Sequence, residues 1–175
     1  MNQFVDHEGI YMLSHSVGLP LVGAEQAATR AFWQPWQRGD ATIWNHWLTE
    51  VAAFREQLAL LMNTDMANIC PQSSLSSAVS KIVYSLPVRE GRPVILLSEE
   101  DFPSIAFALQ KTASLGYQLK FIPADTDTSY LDQWDQQMTA DVGLVLVTHV
   151  QSNNGRQLPV QQITDLARQK GILSL

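Results

Sequence analysis

The sequence predicts an α/β fold in which a mainly parallel sheet carries helices on both of its faces. Strand-like and helix-like segments alternate from about residue 67 onward. This alternation is typical of right-handed β-α-β crossovers, which place successive strands parallel to one another. The strands expected over 94–97 and 142–147 are continuously apolar, which indicates that helices bury them on both faces.

Composition limits the class of protein. The chain has 175 residues, of which 46% are hydrophobic and 16% are charged, so it can form a folded domain with a substantial core. Its formal net charge of -6 argues against sequence-independent binding to nucleic acid or to an anionic membrane. We therefore expect no nucleic-acid partner and no membrane partner.

Localisation follows from three further observations. The single cysteine, Cys70, excludes an intramolecular disulfide and fits a reducing compartment. Residues 1–8 lack a basic region followed by an apolar run, so they do not resemble a signal peptide. No apolar stretch approaches the length that crosses a bilayer. We expect a cytoplasmic protein.

The first expected elements are helical. Residues 24–33 are rich in Ala, Glu and Gln and predict a helix that Pro35 interrupts. Asp40 or Thr42 can cap a second helix that ends near Met62, because its apolar residues recur at intervals of three and four.

Alternating elements follow the second helix. In chain order we expect a strand over 67–70, a helix over 76–86, a strand over 93–97, a helix over 102–115, a strand over 118–122, a helix over 129–138, a strand over 142–147, a helix over 159–170 and a strand over 172–175. Gly116 and Gly171 stand where glycine commonly ends a helix. Ser129 is the expected cap of the helix that it begins.

The last expected strand reads as buried, yet no helix follows to cover it. We interpret this as a truncated chain, which is either a fragment of a longer protein or a chain whose edge is covered by a partner. In domain terms we expect an N-terminal segment and helix over 1–41 and the N-terminal part of an α/β domain over 42–175.

A serine-rich turn over 72–77 leads directly into the helix expected from about Ser76. A helix that begins this way leaves unpaired backbone N–H groups at its positive end, and together these can bind an anion such as phosphate. The alternative is that the serines only cap the helix, since serine is a favoured N-cap residue. The turn alone leaves both interpretations open.

Three polar segments follow the carboxyl ends of the expected strands, at 72–77, 99–104 and 148–154. In parallel α/β sheets, ligands bind beyond these strand ends. We therefore expect the three segments to converge on one edge of the sheet and to form the site there.

Four tryptophans lie close together near the N-terminus: Trp33, Trp36, Trp44 and Trp47. The spacing of Trp44 and Trp47 favours core packing on one helix face. Trp36 lies beside Pro35 and near charged residues, so it is the better candidate for an interface.

Four segments carry a more specific pattern: Tyr-Met-Leu-Ser-His-Ser-Val-Gly-Leu at 11–19, Leu-Ser at 75–76, Ser-Glu-Glu-Asp-Phe-Pro-Ser-Ile at 98–105 and Thr-His-Val-Gln-Ser-Asn-Asn-Gly at 148–155. In this order and spacing they resemble the N-terminal part of fold-type I pyridoxal-phosphate enzymes. Within that group they resemble the class V aminotransferases, which include kynureninases and cysteine desulfurases.

The resemblance implies the large-domain fold of these enzymes and the cofactor pyridoxal 5′-phosphate. It implies that Leu75 and Ser76 contact the phosphate of the cofactor. It implies that Phe102 stacks on the pyridine ring. Thr148 or Ser152 is implied to approach the phenolic oxygen. No metal is implied.

Departures from the family pattern narrow the expected activity. Ile105 stands where kynureninases have an aspartate, and Phe102 stands where cysteine desulfurases have a histidine pair. Ser152 stands where desulfurases have an asparagine. The aspartate that pairs the pyridinium nitrogen and the lysine that forms the Schiff base are expected beyond Leu175, so no catalytic residue is expected here. The four lysines, Lys81, Lys111, Lys120 and Lys170, are interpreted as solvated charges.

The resemblance therefore implies a homodimeric pyridoxal-phosphate enzyme with a small amino-acid substrate, of the class V aminotransferase or kynureninase-like kind. The intact protein is expected to be an aminotransferase or lyase, and this chain alone is expected to be inactive. The alternatives are a non-catalytic α/β anion-binding module and an inactive truncated homologue.

Overall fold

The computed structural model describes residues 3–39 and 41–175. The chain divides into two compact units, one ending at Pro71 and one spanning Gln72–Leu175, and each is described by itself. Asp40, one of the two expected helix caps, lies outside the described residues. The domain organisation expected from the sequence, 1–41 and 42–175, stays a prediction.

Helices build the first unit: α1 (Ala24–Ala28), a π-helical segment (Thr29–Trp33), α2 (Gln34–Gln37) and α3 (Ile43–Leu61). Pro35 lies in the first turn of α2, where a missing N–H is tolerated, so helical backbone continues past the proline. Thr42 occupies the N-cap position of α3, but its side chain makes no capping hydrogen bond. Over residues 3–39 and 41–175, no helix combines the length and the apolar character that crossing a bilayer requires.

The strand expected over 67–70 is absent, and that prediction is wrong. The segment contains a 3-10 helix, Met66–Asn68, and its N-cap Asp65 accepts a hydrogen bond of 2.7 Å from a backbone N–H of that helix. Arg55 on α3 donates to the carbonyl of Ile69 and to a second carbonyl of the segment, each at 2.9 Å. Because side chains satisfy these backbone groups, the segment needs no neighbouring strand.

Aromatic side chains of the first unit pack on one another. Phe32 stacks on Trp47 with ring centroids 4.9 Å apart, and Trp33 stacks on Trp36 at 5.5 Å. Trp44 meets the edge of Trp47, also at 5.5 Å. Trp33, Trp36 and Trp44 nevertheless remain exposed over half or more of their surface. The interface role expected for Trp36 stays a prediction.

A four-stranded parallel sheet forms the second unit. In chain order its elements are α4 (Leu75–Ser85), β1 (Val94–Ser98), α5 (Pro103–Gln110), β2 (Gln118–Ile122), α6 (Leu131–Gln137), β3 (Val142–Val145), α7 (Val160–Gln169) and β4 (Leu173–Ser174). The strand order is β2-β1-β3-β4, and all three neighbouring pairs are parallel. The expected parallel sheet is confirmed.

Helices cover both faces of this sheet. On one face, residues of α4 and α5 form a core with Ile95 and Leu97 of β1. On the opposite face, residues of α6 and α7 form a second core around Val94 and Leu96. Every residue of β1 is buried, because successive side chains of the strand enter the two cores in turn. The continuous apolar pattern of this strand is thereby explained.

Gly143 in β3 lies where the sheet admits no side chain. A Cβ atom there would lie 2.3 Å from the backbone oxygen of Arg92. The pairing of β1 with β3 shifts in register between Val94 and Ile95, beside this close approach. Glycine is therefore required by the path of the neighbouring chain.

One further expectation is wrong. Tyr130, not Ser129, is the N-cap of α6, because the hydroxyl and N–H of Ser129 both donate to Asp127 Oδ1, at 2.6 and 3.0 Å. Both residues of the strand β4 are exposed, in agreement with the expectation that no helix of this chain covers it. It lies at the edge of the sheet and pairs with β3 alone among the described residues.

Candidate functional site

The polar segments that follow β1 and β3 meet at the carboxyl edge of the sheet, as predicted. Asp101 and Glu100 connect the segment 99–104 to the segment 148–154 through side-chain hydrogen bonds. The hydroxyls of Ser76 and Ser104 lie 2.9 Å apart and connect the serine turn to the start of α5. The expected convergence of the three segments is confirmed.

Asp101 is a buried carboxylate at the centre of this edge. Its Oδ2 accepts a hydrogen bond of 2.8 Å from the N–H of Ser98, the last residue of β1. Its Oδ1 accepts from the Thr148 hydroxyl at 2.6 Å and from Gln151 Nε2 at 3.2 Å. Three donors satisfy the buried oxygens, and they tie the end of β1 to the loop after β3.

Glu100 makes a second connection between the same loops. Its side chain is only 8% exposed, and its Oε2 lies 2.6 Å from Arg156 Nη1. Its Oε1 accepts a hydrogen bond of 2.6 Å from Asn154. Arg156 also lies 3.4 Å from Asp127, and the pKa of that carboxyl is lowered by hydrogen bonds from the Ser129 hydroxyl and N–H, with Arg156 adding to the effect.

The start of α4 combines a cap with open donors. Ser74 has extended backbone, and its hydroxyl accepts a hydrogen bond of 3.2 Å from the N–H of Ser77. The N–H groups of Leu75 and Ser76 have no hydrogen-bond partner within residues 3–39 and 41–175. The cap occupies the N–H of Ser77 and leaves the N–H groups of Leu75 and Ser76 open. Helix capping and anion binding are therefore compatible at this helix start.

Phe102 stands at the start of α5, in the N-cap position before Pro103. Its ring is 55% exposed, so it does not anchor the core of the second unit. An open cleft of about 270 Å³ lies next to the start of α5, and its lining includes Asp101, Phe107 and Phe121 but not Phe102. An exposed ring above a polar sheet edge can stack on a planar ligand.

Ser152 lies in an exposed turn, and the structure records no contact that brings it to Phe102 or Thr148. The residues around it are fixed, since Gln151 bonds Asp101 and Asn154 bonds Glu100. Of the predicted site residues, Thr148 and Ser76 thus take part directly in the hydrogen bonds of the sheet edge. Leu75 and Phe102 lie at the starts of the two helices beside it.

Three polar residues of this edge were missed by reasoning from the sequence: Glu100, Asp101 and Gln151. One signal could have found Asp101, namely a short acidic side chain three residues after the serine that ends a buried strand. Aspartate at such a turn commonly accepts from a nearby backbone N–H. Its partners Thr148 and Gln151 are 47 and 50 positions away, so no local pattern could have identified them.

Metal binding finds no support in the described parts of the chain. Within residues 3–39 and 41–175, no group of three or more His, Cys, Asp or Glu side chains is arranged to hold a metal ion. The carboxylates of Glu100 and Asp101 at the sheet edge are already paired with donors of the chain, and the other groups there are backbone N–H donors, hydroxyls, an amide and an exposed ring. These other groups suit an organic anion.

The sequence model of one family, described as aminotransferase class-V, matches residues 28–175 of this chain. A kynureninase of Shouchella clausii is 24% identical over 180 residues, covering 97% of this chain and 42% of that protein. A kynureninase of Deinococcus radiodurans is 28% identical over 140 residues, covering 80% of this chain and 33% of that protein. The chain thus spans less than half the length of these relatives.

Solved structures share the fold. The complex of the cystine C–S lyase C-DES with its reaction product cysteine persulfide superposes with a TM-score of 0.78 at 21% identity, over 90% of this chain and 42% of that chain. A C-DES mutant with glycine covalently linked to its pyridoxal-phosphate cofactor gives the same values. DndA from Streptomyces lividans gives a TM-score of 0.66 at 17% identity, over 85% of this chain and 44% of that chain.

Proposed function

This chain belongs to the class V aminotransferase family, and we propose that it forms part of the cofactor-binding region of an enzyme that uses pyridoxal 5′-phosphate to transform an amino acid. One observation carries the proposal: two open N–H groups at the start of α4 adjoin an edge where the polar loops converge. The related C-DES structure with glycine linked to its pyridoxal-phosphate cofactor supports the choice of ligand.

The residues at the start of α4 fit a phosphate group. Leu75 and Ser76 offer backbone N–H donors without a partner among the described residues, so the exposed apolar side chain of Leu75 is no obstacle. The dipole of this 11-residue helix adds positive potential at the same place. The Ser76 and Ser104 hydroxyls can turn toward the same anion, because each retains an unused donor or acceptor.

The residues beyond the phosphate position fit a planar, polar ring. We assign Phe102 to stack on the ring, since its side chain is exposed beside the loops. We assign Thr148 or Ser152 to the phenolic oxygen. The cofactor, when bound, supplies an electron sink for bond cleavage next to the amino group of a substrate. The residues of this chain bind and orient the cofactor through its phosphate, its ring and its phenolic oxygen.

We further propose that the Schiff-base lysine is not among the four lysines of this chain. Lys120 and Lys170 donate to the backbone carbonyls of Gln137 and Asp135, and Lys81 donates to Gln72. These three amino groups are thus engaged with groups of the chain itself. The chain alone is proposed to bind the cofactor without catalysing its reaction, and the intact protein is proposed to be a cytoplasmic homodimer.

Equilibrium binding of pyridoxal phosphate tests the proposed function. We expect the wild-type chain to bind it, and Ser76→Glu to weaken binding at least tenfold, because a carboxylate would occupy the phosphate position. Ser85→Glu is the matched control, since it adds the same charge roughly 13 Å away along the same helix. Unchanged affinity in Ser76→Glu would contradict the assignment. Equal affinity for inorganic phosphate and for pyridoxal phosphate would favour the anion-binding module instead.

A further inference from the structure

The strand β2 forms one edge of the sheet, and within the described part of the chain it pairs with β1 alone. The N–H of Gln118, its first residue, donates to the carbonyl of Pro93 at 2.9 Å, so Gln118 faces β1. Because the backbone groups of successive residues point to opposite sides of a strand, Leu119 and Phe121 direct their N–H and C=O groups away from β1. The edge of β2 thus presents two donors and two acceptors to a further strand.

No charged side chain guards this edge. Lys120 is the one charged residue of β2, and its Nζ is engaged on the opposite face of the sheet. There it donates to the carbonyl of Gln137 at 3.0 Å and to the Thr139 hydroxyl at 3.3 Å. Proteins commonly protect an edge strand by placing a charge on it or by keeping it short. β2 has only the second protection, since it is five residues long, so a strand that pairs with it needs side-chain contacts as well.

The open cleft next to the start of α5 supplies such contacts. Leu119 and Phe121 lie on the sheet face that α5 covers, and Phe121 lines the cleft together with Pro103, Ala106 and Phe107. Phe107 is 64% exposed and belongs to neither core of the second unit. A strand added beside β2 would lie about 4.8 Å from it and send alternate side chains toward this same face. One of these side chains can enter the cleft.

The cleft also has a charge preference. Glu99 is the exposed charged residue of its lining, and Glu99 Oε2 accepts a hydrogen bond of 2.9 Å from the N–H of Ala124, just beyond β2. Glu99 Oε1 has no hydrogen bond or ion pair within residues 3–39 and 41–175. Asp101, the other acidic residue of the lining, is buried and bonded to groups of the chain. Since no basic residue lines the cleft, a positive charge complements it.

We propose that the open edge of β2 and the adjoining cleft bind an extended segment of a partner protein. The segment pairs with Leu119 and Phe121, places a large apolar side chain in the cleft and sets a basic side chain against Glu99. The apolar and basic residues lie two positions apart in the segment, because only alternate side chains reach the same face. In strand addition of this kind, main-chain hydrogen bonds give affinity and pockets give specificity.

This docking site goes beyond the proposed function. None of the residues assigned above to the cofactor lines the cleft. Binding of the segment is therefore expected with and without pyridoxal phosphate, and failure of either idea leaves the other standing.

An amide NMR titration with a capped peptide of sequence Thr-Val-Thr-Phe-Thr-Lys-Thr tests the proposal. We expect the amides of Leu119 and Phe121 to shift most, since their N–H groups point outward, and the amide of Lys120, which faces β1, to shift less. A peptide with serine in place of phenylalanine should bind at least about tenfold more weakly, because the cleft stays empty. A peptide with glutamate in place of lysine should bind about threefold more weakly, because it meets Glu99 with a like charge.

Two pairs of variants separate strand pairing from general effects on the fold. Leu119→Pro removes an outward N–H and leaves the hydrogen bonds to β1 intact, as edge strands tolerate. It should weaken peptide binding at least about tenfold, whereas Leu119→Ala, the matched control that keeps the N–H, should stay within about threefold. Phe107→Asp should also weaken binding at least about tenfold. Its control is Tyr130→Asp, which changes an exposed aromatic residue outside the cleft lining.

Four outcomes would overturn the proposal. They are no saturable binding up to roughly 1 mM peptide, binding that leaves the amides of Leu119 and Phe121 unshifted, equal weakening by Leu119→Pro and Leu119→Ala, and equal weakening by Phe107→Asp and Tyr130→Asp. Should Leu119→Pro fail to fold, the Phe107 and Tyr130 pair decides, since both side chains are exposed. Sedimentation equilibrium without peptide adds one further arm: a dimer that Phe107→Asp abolishes would assign this edge to a second copy of the chain and contradict a separate partner.

Discussion

The hydroxyl of Thr148 donates a 2.6 Å hydrogen bond to the buried carboxylate of Asp101, which lies 47 positions earlier in the chain. This bond joins the end of β1 to the end of β3 at the edge where parallel sheets bind ligands. Its two partners therefore connect the fold to the proposed site. A change in either residue alters the loops that surround the ligand position.

Replacing Gly143 with alanine should destabilise the second unit. The added Cβ would lie 2.3 Å from the backbone oxygen of Arg92, and a backbone atom cannot move aside without displacing β1. We expect the free energy of unfolding to fall by about 1–3 kcal/mol, measured by urea denaturation. Gly155→Ala is the control for an open position, where strain comes only from its positive φ of 70°. An unchanged unfolding midpoint for Gly143→Ala would contradict the close approach.

Trp134 is the largest fully buried side chain and should dominate the core beneath α6. Its Nε1 also donates to the carbonyl of Thr128 at 2.8 Å. We expect Trp134→Ala to lower the free energy of unfolding by about 3–5 kcal/mol, and Trp134→Phe to lower it less. Tyr130 is exposed, so Tyr130→Ala should change the free energy of unfolding little. Equal effects of Trp134→Ala and Tyr130→Ala would contradict the burial of the indole.

Arg156 should hold the loop after β3 in place. Its pair with Glu100 is 30% and 8% exposed on the two side chains, so it is more buried than a surface ion pair. We expect Arg156→Gln to lower the free energy of unfolding by roughly 1–3 kcal/mol and to speed hydrogen exchange over 148–158. Arg168→Gln breaks an exposed pair with Asp165 and should cost under about 0.5 kcal/mol. Equal protection of the loop in both variants would show that Glu100 does not anchor it.

The stability of the second unit should decline as the solution becomes acidic. Hydrogen bonds from Ser129 lower the pKa of Asp127 in the folded state. A carboxyl with a lowered folded pKa stabilises the fold above its unfolded pKa, and this contribution is lost as pH falls through the folded pKa. Asp127→Asn should therefore flatten the acidic limb of the free energy of unfolding against pH. An acidic limb identical to that of the wild type would contradict this contribution of Asp127.

The sequence predicted the layers of the second unit well, because apolar strands such as β1 carry local signals, and so does Gly116, which ends the 3-10 helix Lys111–Leu115 that follows α5. It failed where one long-range partner decides the outcome. Arg55 satisfies the carbonyls of Met66 and Ile69, so the strand expected over 67–70 does not form.

The same distinction holds at the site. Ser76 and Thr148 were predictable as polar residues at strand ends and helix starts. The donor and acceptor roles around Asp101 were not, because they depend on residues about fifty positions apart. Roles of this kind can be assigned only when the partners are placed in space.

The central claim, that the start of α4 binds the phosphate of pyridoxal phosphate, is tested most directly by an amide NMR titration of the chain with that cofactor. We predict that the backbone amides of Leu75 and Ser76 show the largest shifts, in the direction that a new hydrogen bond to an anion produces. Inorganic phosphate should move the same two amides. Saturable binding that leaves the amides of Leu75 and Ser76 unshifted would contradict the claim.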